Sequence, residues 1–153
     1  MKSNKIFISL ILNIVFSSLL LIFYGFFDFV LLFARDLVLG FGGERSDVVG
    51  INIPMFLIFF LMVLSIVIIV MSSTRFRFVK KQVNNENFKK EKFISLVVLM
   101  IIFAIINIII AICFIHSLLI LVLFILFAVL YTILAVLILC DVKKLKRLSQ
   151  INS

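Results

Sequence analysis

Apolar residues run almost without interruption through four segments of this chain, roughly residues 6–27, 53–71, 93–115 and 118–140. Each is close to or above the ~20 residues that a helix needs to cross a hydrocarbon core of about 30 Å. Many of these residues are β-branched or aromatic, which in a soluble protein would suggest strands. Runs of this length, with neither charge nor a period of two, favour helices, whose backbone groups satisfy one another inside lipid. The pattern implies an all-α integral membrane protein, one four-helix transmembrane domain over residues 1–153.

What lies between the runs sets the order of the elements. The first run does not stop cleanly: residues 28–39 remain mostly apolar, and one helix from Ile6 to Leu39 would be about 50 Å long. Either that helix is tilted and protrudes, or it bends near Gly25 into a short amphipathic helix over 28–39 in the outer interface; the pattern favours the bend. Four of the five glycines then fall in 40–52 and read as a solvated turn. Gly40-Phe41-Gly42-Gly43 is no phosphate cradle, because it lacks a preceding strand and a helix-opening lysine. Asn52-Ile53-Pro54 reads as a helix start, with Asn52 capping and the proline in the first turn. A polar loop spans 72–92. Residues 93–140 carry no formal charge, and as one helix would run about 72 Å, too long for a single crossing. The chain is therefore expected to turn at His116-Ser117, as a tight hairpin of the third and fourth spans, and to end in a tail over 141–153 with Leu145 and Leu148 on one edge.

The few polar residues inside the runs are not scattered. At 100° per residue Asn13, Ser17, Tyr24 and Asp28 fall within about 60° of one another on the first helix. Arg35 joins them if the helix continues, Ser9 lies at the edge, and Leu20 and Leu31 interrupt the line. A helix facing only lipid has no use for such a stripe, so Asn13 and Ser17 are expected to face protein. Small residues give a second pattern. Ala104, Asn107 and Ala111 share one face of the third span, and Ala128, Thr132 and Ala135 share one face of the fourth, which suits close helix approach. Asn107 then needs a hydrogen-bond partner, from Thr132 or from the stripe, with Asn13 and Ser17 as its expected counterparts. Ser65 is alone in mid-span, and Met55 and Met62 read as packing.

Composition and charge turn this into a topology. The chain is 65% hydrophobic and 14% charged, which is membrane composition. All but two of its 15 lysines and arginines lie near the N-terminus (Lys2, Lys5), in 75–92 or in 143–147. That positive-inside arrangement places both termini and the central loop in the cytoplasm. An apolar run of about 22 residues with no small-x-small site after it reads as an uncleaved first span, not a secretory signal. Arg75, Arg77, Lys80, Lys81, Lys89, Lys90, Lys92, Lys143, Lys144, Lys146 and Arg147 are the expected contacts for anionic headgroups, with phenylalanines between them at the interface. Topology accounts for the basic charge without nucleic acid.

Candidate chemistry is sparse. Asp28 would be a functional carboxylate if it lay in mid-membrane, but at the outer edge it reads as solvated or paired with Arg35. His116 reads as the polar residue of a turn. Cys113 and Cys140 should lie some 30 Å apart, free and buried, too far for a disulfide. No nucleophile–base pair, carboxylate pair or metal set is evident, so neither an enzyme nor a cofactor is expected. The expected role is non-enzymatic: a small partner in the cytoplasmic membrane of an AT-rich bacterium, acting through helix–helix contacts as an accessory subunit or immunity-type protein, or as a homo-oligomer. The alternative is an oligomeric pore or small transporter whose path is lined by Asn13, Ser17, Tyr24, Asp28 and Arg35.

Overall fold

The computed structural model describes residues 4–42, 45–82 and 91–151, and side chains over 6–42, 51–79 and 93–144. These residues form four α-helices: α1 (Asn4–Gly40), α2 (Arg45–Gln82), α3 (Glu91–Cys113) and α4 (Leu118–Ile151). The fold is all-helical, and each helix is long and apolar enough to cross a membrane. Large apolar side chains are exposed along all four, among them Ile22, Phe56, Ile112 and Leu119. In water such a surface would aggregate, whereas in lipid it costs nothing.

Neighbours in sequence are neighbours in space. α1 packs on α2, α2 on α3, α3 on α4, and α4 returns to α1, so that α1 and α3 face each other across a diagonal and their backbones do not touch. Phe7 meets Phe76 with ring centroids 5.2 Å apart, and Ser9 meets Asp141 at 2.9 Å. The start of α1 and the ends of α2 and α4 therefore share one end of the bundle. Arg75, Arg77, Lys143 and Lys144 lie on the segments that reach this end, which we call the basic end. At the other end Phe27 meets Phe114, 5.6 Å between centroids, just where α3 gives way to the turn over 114–117. That turn is closed by the Ser117 amide donating to the Phe114 carbonyl at 2.9 Å.

The helices are longer than the apolar runs, and the differences correct the sequence reading in four places. Residues 28–39 are not a separate interfacial helix; they continue α1 without a break. A single glycine such as Gly25 costs a helix only about 1 kcal/mol, and Leu31 packs on the core beyond it. The helix ends instead near Gly42, at φ +79°, a conformation that favours glycine. Asn52 is not a cap: α2 starts at Arg45 and carries Pro54 inside it. A proline there forfeits one backbone hydrogen bond, a loss that membrane helices accommodate when neighbours surround them. The loop placed over 72–92 is helical as far as Gln82, with Ser72 and Val79 buried, so packing and not hydropathy sets its length. The tail after Cys140 likewise continues α4, with Val142 buried. The remainder of the central loop, including Asn84–Asn87, and the side chains of Leu145 and Leu148 lie outside the described residues.

The cysteines also differ from expectation. Cys113 and Cys140 are free but exposed. Ile138 and Val142 turn into the core on either side of Cys140, which leaves that position facing out.

The helices are unequal in length. α1 and α2, of 37 and 38 residues, are about 55 Å long, whereas α3, of 23 residues, is about 35 Å. The α3–α4 turn comes level with Phe27, and α1 and α2 project past it as a two-helix extension.

Candidate functional site

The stripe on α1 lies in the interior of the bundle: Ser9, Asn13, Ser17 and Tyr24 are all buried. Each reaches a different helix position. Ser9 Oγ donates to Asp141 Oδ2 on α4 at 2.9 Å, and Asn13 Nδ2 donates to Ser72 Oγ on α2 at 2.8 Å. Ser17 Oγ and the Tyr131 hydroxyl on α4 share a hydrogen bond of 2.6 Å. Tyr24 donates to Asn107 Oδ1 on α3 at 2.7 Å, across the diagonal. One helix face thus bonds all three of the other helices, because residues three, four and seven apart stack along that face.

The partners differ from those expected. Asn107 is paired with Tyr24, not with Asn13 or Ser17; Asn107 Nδ2 donates to the Phe103 carbonyl at 2.9 Å, which turns the carbonyl end of its amide towards the tyrosine. Thr132 is exposed and donates to the Ala128 carbonyl of its own helix at 2.8 Å. Ala104, Ala111, Ala128 and Ala135 are buried, on helices that pack together. Tyr131 and Ser72, both buried, and the half-buried Asp141 are the polar partners that sequence reasoning missed. Tyr131 had a signal, as the second of only two tyrosines. Ser72 and Asp141 had none, since both sit where the apolar runs stop.

An aromatic cluster fills the space around the two tyrosines. Phe103 and Tyr131 lie 4.2 Å apart, and Phe124 packs within 6.4 Å of Phe23, Tyr24, Phe27, Phe114 and Phe127. Edge-on and tilted pairs predominate, as ring quadrupoles favour. The rings occupy the seam where α1 and α4 approach each other least.

Not every polar atom is satisfied. Among the described residues, Asn13 Oδ1 and Arg75 Nε towards the basic end, and Asp28 Oδ1, Arg35 Nε and Asn52 Oδ1 towards the other, are buried without a hydrogen-bond partner. Asp28, expected to be solvated or paired with Arg35, is half-buried, and among the described residues no bond joins the two. Turning the Asn13 amide over would exchange which end is unpaired without removing the deficit. For this reason Asn13→Leu is expected to shift stability by no more than about 1 kcal/mol, since it removes an unpaired acceptor and frees Ser72 to bond its own helix, as Ser65 does to the Leu61 carbonyl. Reversible unfolding in mixed micelles measures this; a loss as large as that from Tyr24→Phe or Asn107→Leu would show that the Asn13–Ser72 bond fixes the α1–α2 register.

Of the expected lipid contacts, Arg77, Lys143 and Lys144 are exposed and Arg75 is half-buried. The side chains of Lys80, Lys81, Lys89, Lys90, Lys92, Lys146 and Arg147 lie outside the described residues. His116 is exposed at the turn. Among the described residues no three His, Cys, Asp or Glu side chains gather closely enough to hold a metal ion. No protein-family model, curated protein or solved structure matches this chain.

Proposed function

We propose that this chain is a small multi-pass protein of the cytoplasmic membrane with a non-enzymatic role, an accessory or immunity-type partner of a membrane complex, with both termini in the cytoplasm and a hairpin of α3 and α4 re-entering from the outside. The gathering of Arg75, Arg77, Lys143 and Lys144 towards one end of the bundle supports the orientation, because cytoplasmic segments carry the excess of positive charge. The same cations would hold anionic headgroups of the inner leaflet.

One observation carries the functional reading. From Ser9 to Tyr24 the polar stripe, the feature best suited to line a path, is bonded rung by rung to other helices of the same chain, and Asp28 and Arg35 lie beyond it, half-buried. Leu20, buried between Ser17 and Tyr24, separates the rungs by about 10 Å of apolar helix. A conducting path needs polar groups left available to water or ions; these serve to fix one helix arrangement. What remains for interaction is the outer surface and the α1–α2 extension.

Two measurements test this. The purified chain reconstituted in liposomes should give no proton or ion flux above empty liposomes, and tagged protein extracted from native membranes in mild detergent should carry a partner in fixed stoichiometry. A flux abolished by Asp28→Asn would overturn the reading in favour of a pore or transporter.

A further inference from the structure

The two-helix extension past the α3–α4 turn carries its apolar side chains on the outside. Phe29, Val30, Leu32 and Phe33 on α1 and Ile53 and Phe56 on α2 are exposed, whereas Asp28 and Arg35 are half-buried. A helical hairpin standing in water has the opposite arrangement, with charges outside and apolar residues between the helices. Among the described charged side chains of the extension only Asp36 is exposed. Every phenylalanine that is exposed among the described residues lies between Phe26 and Phe60, and the large apolar side chains exposed on α3 and α4 are all aliphatic. Phenylalanine is one of the residues that membrane-bound segments sink just beneath the headgroups.

Contacts between helices set the levels of these residues. Gly25 comes within 3.5 Å of Met62 on the antiparallel α2, so Ile53 stands opposite Ala34, beside the level of Phe33. Phe27 meets Phe114, so Ile115 and His116 come only a residue or two past the level of Phe27. Asp36 therefore stands on the order of 10 Å farther out than the tip of the turn. His116 is exposed there, and the backbone groups of the turn lie outside any helix ladder, so the turn belongs at the headgroups.

We infer that the outward face of the extension is a contact for phospholipid acyl chains, so that the membrane meets this end of the chain in a step. Its limit lies at the α3–α4 turn on one side and, about 10 Å farther out, near Asp36 on the α1–α2 side. Continuity selects lipid as the occupant. Below the step the same two helices expose Ile22, Phe26 and Phe60 to the hydrocarbon, and the surface keeps this character as far as Asp36. The lengths of the apolar spans agree: 35 residues on α1 against 21 on α3, or about 52 Å against about 32 Å. A hydrocarbon core of about 30 Å matches α3 but covers α1 only where the leaflet thickens beside it or the bundle tilts. Either response lays acyl chains on Phe33 and Ile53 and comes more easily to long chains than to short ones.

The inference rests on the membrane spans and is independent of any partner, so its test uses the full-length chain alone in phosphatidylcholine liposomes. Single cysteines at exposed positions, Phe33→Cys, Ile53→Cys, Phe41→Cys and Ile115→Cys, are placed in a chain whose exposed native cysteines are replaced, Cys113→Ala and Cys140→Ala. A charged, membrane-impermeant maleimide is equilibrated across the liposomes, and its rate of labelling is read at each position. Phe33→Cys and Ile53→Cys should label at least tenfold more slowly than Ile115→Cys, although they stand farther out along the bundle, and Phe41→Cys should label as fast as Ile115→Cys. Shortening the acyl chains from eighteen to fourteen carbons should raise the rates at Phe33→Cys and Ile53→Cys at least threefold and leave Ile115→Cys unchanged. Labelling of Phe33→Cys and Ile53→Cys as fast as Ile115→Cys in liposomes would place the extension in water and overturn the step. Protection of those two positions in native membranes but not in liposomes would also overturn it, because a protein and not lipid would then cover the face.

Discussion

Phe124→Ala is expected to destabilise the bundle by about 3 kcal/mol, the largest loss from any single truncation in the interior. Phe124 is fully buried and touches rings on α1, on the α3–α4 turn and on its own helix. In a soluble core, deleting such a ring costs ~3–5 kcal/mol, part of it lost transfer from water and part the cavity left behind. Here separated helices are already in lipid, so the transfer part falls away and the lost contacts and the cavity remain, which places the loss at the low end. The position amplifies the effect. α1 and α4 approach less closely than the other adjacent pairs, so their contact depends on rings that bridge the gap. Phe29, exposed on α1, provides the control: Phe29→Ala should change unfolding in mixed micelles by under about 0.5 kcal/mol. Equal effects of the two truncations would mean that the aromatic cluster fills space without holding α1 to α4.

How the sequence and the structure relate can be seen in these same residues. Hydropathy alone locates four helices, because twenty apolar residues in a row leave the backbone no other way to satisfy itself in lipid. The angular arithmetic on α1 places Asn13, Ser17 and Tyr24 on one buried face before any partner is known. It does not identify the partners. Asn107 bonds Tyr24 and not Asn13 because the register between diagonal helices depends on side-chain volumes in the aromatic cluster, and no local pattern encodes these. The helix ends are illegible for a related reason. Ser72, Val79 and Val142 lie beyond the apolar runs yet are buried in the bundle, since helix length in an assembled protein follows packing partners more than mean hydropathy. Gly42 ends α1 where Gly25 is the more tempting break; a glycine in mid-helix is tolerated, whereas one in the left-handed conformation after the last turn terminates it.

The bond between Tyr24 and Asn107 is expected to show a coupling of about 1 kcal/mol in a double-mutant cycle of Tyr24→Phe and Asn107→Leu, with the double variant less destabilised than the sum of the singles. Each single change strands a partner: Tyr24→Phe leaves Asn107 Oδ1 without its donor, and Asn107→Leu leaves a phenolic hydroxyl buried among rings. Either should cost about 2 kcal/mol, near the desolvation cost of an unpaired buried group. The double variant strands nothing and replaces the pair by apolar atoms of similar volume. Comparable bonds between membrane helices average about 0.6 kcal/mol, because separated helices also find polar partners. A higher value is expected here for a geometric reason. The Asn107 amide is anchored by its own bond to the Phe103 carbonyl, so its acceptor is already oriented and less rotamer freedom is lost on pairing. This bond also joins the two helices whose backbones do not touch, alongside the Tyr24–Phe103 ring contact at 5.9 Å. Additivity within about 0.3 kcal/mol, measured by reversible unfolding of all four proteins under one condition, would show that the rings alone align α1 with α3. A clear coupling would instead identify the interior stripe as the device that selects one arrangement of four otherwise interchangeable apolar helices, which is the role a buried polar pair performs best where lipid and side chain are equally apolar.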